Sequence, residues 1–179
     1  TPPDGDADHL PAEHTRTGAS WKALFRAPYV VALGVALRLT ATLTDLVGAG
    51  RWDRVTRIRH GLALGGLAMA AAGAAGAAVV GPPVLRLVFG AEIDLTASQS
   101  AAVAAGTLLA VATLGLSLVQ ITTGHGARIP SGWLAAVVVG AVTLVLCPFD
   151  PLDDIVAAFL AAEVAAFALM ARRHADHPV

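Results

Sequence analysis

Three charged side chains, Arg38, Asp45 and Glu163, lie within stretches of sequence that are otherwise apolar. Arg38 and Asp45 are seven residues apart, two turns of an α-helix, and so share one side of it. A guanidinium in such a setting has three possible occupations. Its planar fork can hold an anionic substrate group such as a phosphate. It can form a buried structural pair with Asp45, or it can reach along its own stem towards water. Glu163 is either a protonatable coupling carboxyl or an interior carboxyl bonded to a neighbouring helix. Arg38, Asp45 and Glu163 together form the candidate substrate-binding set. Thr113, Ser117, Gln120, Thr122 and Thr123 add neutral hydrogen-bonding groups of the kind that hold apolar helices together.

A second constellation is basic. Arg51, Arg54 and Arg57 recur every three residues with Arg59 close behind, Trp52 among them and Asp53 four before Arg57. On a helix this spacing makes a strip that can lie along anionic headgroups, set the orientation of the chain in a membrane, or recruit a lipid-linked substrate. Gly61 and Gly65 form a GxxxG pair, which Gly73 and Gly76 continue as a small-residue face suited to close helix packing. Patterns of catalysis are missing from the sequence. There is no Gly-x-Ser-x-Gly, no phosphate-binding P-loop and no His-Glu-x-x-His. The six histidines are confined to tails and loops, and Cys147 is the only thiol. The expectation is therefore a protein that is not an enzyme and carries neither metal nor cofactor.

The elements that must position these groups follow from composition. Of 179 residues, 56% are hydrophobic and 14% charged; 39 are alanine, none is asparagine, and eleven arginines stand beside one lysine. Soluble domains are about 25% charged, so this chain belongs to a more apolar class. A net charge of −1 gives no support to a nucleic-acid partner. A membrane helix needs roughly 20 mostly apolar residues, and five stretches qualify: 27–50, 61–85, 97–124, 130–148 and 155–171. They lack the polar face of a surface helix and the period-two alternation of a strand. The predicted architecture is an all-α integral membrane bundle of about five transmembrane helices over residues 23–179. Residues 1–22, acidic and proline-containing, read as a flexible tail or loop.

The loop charges assign sides. Arg51, Arg54, Arg57, Arg59, Arg128, Arg172 and Arg173 fall on one side, against Arg86 alone on the other, where Asp150, Asp153 and Asp154 gather. Basic loops favour the cytoplasm, so the C-terminus is expected there, with membrane lipids as the first partners. Lys22 and Arg26 disagree, since they flank the opposite end of the first stretch.

The stretch Leu33-Gly-Val-Ala-Leu-Arg-Leu-Thr-Ala, the turn Gly48-Ala-Gly-Arg-Trp-Asp-Arg-Val-Thr-Arg and the ending Gly81-Pro-Pro-Val-Leu-Arg-Leu-Val-Phe-Gly90 resemble polysaccharide-type flippases. These belong to the multidrug/oligosaccharidyl-lipid/polysaccharide exporter superfamily. The order of elements over about residues 27–173 is similar to the last five of that family's twelve spans. The resemblance implies most of the second lobe of a two-lobed, bacterial inner-membrane exporter that moves a lipid-linked glycan by alternating access. It also implies that the N-terminal half of the protein lies outside this chain. Arg38 would face the cavity, although the family pattern does not fix an arginine there. A cation-coupled drug exporter of the same fold and a non-transporting membrane anchor or scaffold are the alternatives.

Overall fold

The structure, a computed structural model, describes residues 33–89, 95–146 and 150–172. The predicted tail 1–22, the opening of the first expected span, Lys22, Arg26, Cys147 and Arg173 lie outside the described residues. Those described are helical apart from short turns, with no strand among them. The chain divides into two units, 1–39 and 40–179. In the first, residues 33–39 are helical. The second contains the helical residues 40–48 (α1), then α2 (Trp52–Phe89), α3 (Ala97–Thr122), a single 3-10 turn (Gly126–Arg128), α4 (Ile129–Leu146) and α5 (Pro151–Ala171).

Four of these helices are long and apolar enough to cross a membrane: Trp52–Leu87 of α2, Ala97–Thr122, Gly126–Leu146 including the 3-10 turn, and Pro151–Ala171. They coincide with four of the five expected spans. Helix α2 is longer at both ends than the apolar stretch 61–85. No glycine or proline interrupts residues 52–60, and arginine is a good helix former, so the basic stretch expected as a loop forms the opening turns of the helix. At the other end the helix runs on through Pro82 and Pro83 to Phe89. At 1.5 Å per residue, its 38 residues extend about 57 Å, more than the 40–45 Å of a whole bilayer.

The helix ends show why the chain turns where it does. Gly50, at φ 67°, ends α1. Its N–H bonds to the carbonyl of Val47 at 3.0 Å, and the Arg51 N–H reaches the carbonyl of Leu46 at 2.9 Å. This double closure requires a left-handed residue and satisfies carbonyls that a helix end leaves open. Gly124, at φ 81°, repeats it after α3, with His125 N–H on Gln120 O at 2.8 Å. The start of α3 is closed by a capping box: Thr96 Oγ1 accepts from Gln99 N at 3.2 Å, and Gln99 Oε1 accepts from Thr96 N at 2.9 Å. Helix α5 opens on Pro151, with Asp153 and Asp154 in its first turn, where proline fits and acids favour the helix dipole.

Packing follows small residues. Helix α2 runs antiparallel to α3, with Gly66 against Ala112, Gly73 against Leu108 and Gly81 against Ser100. Helix α5 runs parallel to α3, with Phe159 over Gly106, and α4 packs antiparallel to α5, with Gly132 against Met170 and Gly140 against Ala158 and Ala162. The core gathers Ala70, Leu109, Ala112, Leu116, Phe167 and Met170. Every one of these contacts lies between α2, α3, α4 and α5, and α3 is the central element.

Candidate functional site

Of the expected substrate-binding residues, Arg38 belongs to the first unit, and Asp45 and Glu163 belong to the second. Arg38 is exposed in the helical residues of the first unit, and Asp45 is exposed on α1. Among the described residues no hydrogen bond or ion pair joins Asp45 to Glu163. Glu163 sits about midway along α5, one turn from both Phe159 and Phe167, which press on Gly106 of α3 and Gly66 of α2. Its Oε2 is buried and has no hydrogen-bond partner. A carboxyl is thus held at mid-span, on the helix face that builds the core, without a neighbour that explains it.

The neutral polar groups of α3 are mostly used within their own helix. Thr113 Oγ1 donates to Leu109 O at 2.8 Å and Ser117 Oγ to Thr113 O at 2.9 Å. Thr122 and Thr123 donate to Leu118 O and Val119 O in the same way. Such bonds satisfy a hydroxyl in an apolar setting without tying one helix to another. Gln120 is different: its Nε2 lies 3.3 Å from Met170 O and 3.2 Å from Met170 Sδ, reaching across to α5.

A contact between residues far apart in the sequence closes the other end of the same helix pair. Gln99 Nε2 donates to Asp153 Oδ1 at 2.6 Å, while the Gln99 Oε1 serves the cap of Thr96. The available signal was Thr96-x-x-Gln99 ahead of an apolar run, a capping-box pattern. Its partner on α5 leaves no mark in local sequence.

The basic stretch separates into distinct roles. Arg59 Nη2 donates to Ala171 O at 3.2 Å, at the last turn of α5. Arg51, Arg54 and Arg57 are exposed. Beside them lies an open hollow of about 360 Å³ lined by Thr42, Leu46, Arg54, Arg57 and Ile58, between α1 and the start of α2. Of the four glycines expected to pack helices, Gly73 meets Leu108, whereas Gly61, Gly65 and Gly76 face open space. Among the described residues no group of three His, Cys, Asp or Glu is placed to hold a metal ion.

Compared with known proteins, the chain matches no family model, no curated protein and no solved structure.

Proposed function

We propose that the chain is the transport-competent part of a multi-pass membrane protein that moves a lipid-linked oligosaccharide or polysaccharide precursor across a bacterial inner membrane by alternating access. In this reading the C-terminus is cytoplasmic, the chain supplies most of one lobe of a two-lobed exporter, and the remainder of that exporter is its partner. The observation that carries the proposal is the mid-span carboxyl of Glu163, with one oxygen buried and unpartnered. A buried polar atom left without a partner costs about 1–3 kcal/mol, and ionisable groups inside spans commonly mark substrate or ion pathways. A bundle that only packs gains nothing from Glu163. Its neighbours Ala161, Ala162, Ala165 and Ala166 show that alanine serves on this helix. Arg38, an exposed cation in an apolar helical stretch, is the proposed contact for the anionic diphosphate of the substrate.

The test is flipping in vesicles. The full-length protein is reconstituted with a fluorophore-tagged polyprenyl-diphosphate saccharide, and the inner-leaflet fraction that becomes accessible to an impermeant quencher is followed. The wild type should exceed protein-free vesicles. Glu163→Gln and Arg38→Ala should each slow the movement by about tenfold, equivalent to ~1.4 kcal/mol of barrier. Flipping at the rate of empty vesicles, or variants as fast as the wild type, would remove the proposal.

The same carboxyl also favours a second reading, a cation-coupled exporter of small lipophilic drugs, in which Glu163 exchanges a proton or sodium ion for substrate. That reading expects efflux of a lipophilic cation driven by an imposed ion gradient and abolished in Glu163→Gln, with no movement of the saccharide.

A further inference from the structure

We propose that the hollow between α1 and the start of α2 seats the phosphate of an anionic membrane lipid, held by Arg54 and Arg57. The inference rests on the membrane-spanning character of α2 and is independent of what the protein transports.

Arg54 and Arg57 are one turn apart on one side of α2, and both line the hollow. Neither forms an ion pair or side-chain hydrogen bond with any described residue, Asp53 included, although Asp53 stands four residues before Arg57. Two like charges on adjacent turns repel each other unless an anion lies between them. The position of Arg54 adds to the cost, because it lies in the first turn of a helix, where the dipole disfavours cations and favours anions. A phosphate placed in the hollow relieves both conditions at once.

Depth points to a lipid as the source of that phosphate. The apolar part of α2 begins at Gly61, so the backbone of Arg57 lies about 6 Å and that of Arg54 about 10 Å beyond it at 1.5 Å per residue. The headgroup layer on each side of the hydrocarbon is about 5–8 Å deep, and the long arginine side chain spans the remainder. The rest of the wall suits the same ligand: Leu46 and Ile58 are half-buried apolar side chains against which glycerol and the first acyl carbons can lie. The wall is held in place by the left-handed turn at Gly50, which fixes the end of α1 against the start of α2. Orientation-setting charge alone would be served by arginines placed anywhere along this end, whereas these two line one hollow. Arg59 is already engaged with Ala171 O, and Arg51 is not part of the wall.

The experiment is native mass spectrometry of the full-length protein released from mixed micelles containing phosphatidylglycerol and phosphatidylcholine. The wild type should retain phosphatidylglycerol in preference to phosphatidylcholine. The double variant Arg54→Ala/Arg57→Ala should hold it about tenfold more weakly, and Arg51→Ala should hold it as the wild type does. Thermal unfolding of each variant in detergent confirms folding, and Arg54→Gln/Arg57→Gln replaces the alanine pair if that pair is unstable. Equal retention of the two lipids would overturn the proposal. So would an unchanged double variant, or an Arg51→Ala loss as large as that of the pair, which would indicate a diffuse strip instead of a seat. Displacement of the lipid by millimolar inorganic phosphate would assign the hollow to a soluble anion and overturn the lipid reading. A failed saccharide-flipping assay leaves this result untouched, so the two readings fail separately.

Discussion

The two ends of the α3–α5 pair are each closed by a glutamine of α3, and they are closed differently. At the acidic end Gln99 donates to the carboxylate of Asp153 at 2.6 Å while its own oxygen completes the cap of α3. At the basic end Gln120 meets a backbone carbonyl and a thioether, at 3.3 and 3.2 Å. A charged acceptor makes a shorter and stronger bond than a neutral one. The charges that distinguish the two ends are also used differently. Asp153 is consumed internally, whereas at the basic end Arg59 is engaged with the last turn of α5 and Arg54 and Arg57 have no partner among the described residues. Charge that sorts by side thus contains two populations, one holding the bundle closed and one left facing outwards.

The largest effect that bears on this contrast is all-or-none. In a Cys147→Ser background, Ala97→Cys marks the acidic end and Ala127→Cys the basic end, both at exposed positions. An impermeant thiol reagent should label the first in intact cells and the second only after permeabilisation. Reversed labelling would exchange the sides given to the two ends.

Next comes a change that parts the ends from the middle. A side chain at Gly106 would collide with the ring of Phe159, so Gly106→Leu should lower stability by about 1–3 kcal/mol or more, read as an earlier midpoint on unfolding in mixed detergent. An unchanged midpoint would mean that α5 does not lie over Gly106.

Breaking the ends one at a time should then show their inequality. Gln99→Ala loses a bond to a carboxylate and half of a capping box, about 1–2 kcal/mol. Gln120→Ala loses long, neutral contacts, about 0.6 kcal/mol, the average for interhelical hydrogen bonds in a membrane protein. Equal losses would contradict the contrast. The smallest expected effects separate the arginines. Arg59→Ala should cost about 0.5–1 kcal/mol through its lost bond to Ala171 O, while Arg54→Ala/Arg57→Ala should stay within about 0.5 kcal/mol of the wild type. A double variant less stable than Arg59→Ala would show that those two arginines hold the bundle together.

Much of this arrangement was legible from the residues. An uncharged run such as 97–124 has only one way to cross hydrocarbon, and its length places both ends of α3 to within two residues. The charge of the stretch after Gly50 suggests a loop, since charge signals exposure to water. The backbone follows different information: nothing between Trp52 and His60 breaks a helix, so α2 begins there. Glycine spacing located small residues without saying which have a neighbour. Gly61 and Gly65 fit the familiar motif yet face open space, while Gly66, Gly81, Gly106, Gly132 and Gly140 make the close contacts. Which face of a helix meets another is a property of the assembled bundle, and a single helix carries no trace of it. Gln99 and Asp153 were hidden for the same reason, being 54 residues apart in the chain. Glu163 stood out because one carboxyl in an apolar run is conspicuous, but only packing places its oxygen out of reach of any donor.

The parallel pairing of α3 and α5 has a consequence for how the protein is made. Two parallel neighbours cannot be inserted as a hairpin: α4 must cross first and bring the chain back before α5 can begin. The last helix therefore arrives at a groove whose walls, Gly66 on one side and Gly106 on the other, were laid down earlier by α2 and α3. Its two aromatic rings, Phe159 and Phe167, fit those gaps in register. During synthesis the groove stands open to lipid for the interval in which some fifty residues emerge. A nascent chain arrested before Pro151 should thus present a half-built, glycine-lined cleft to the membrane.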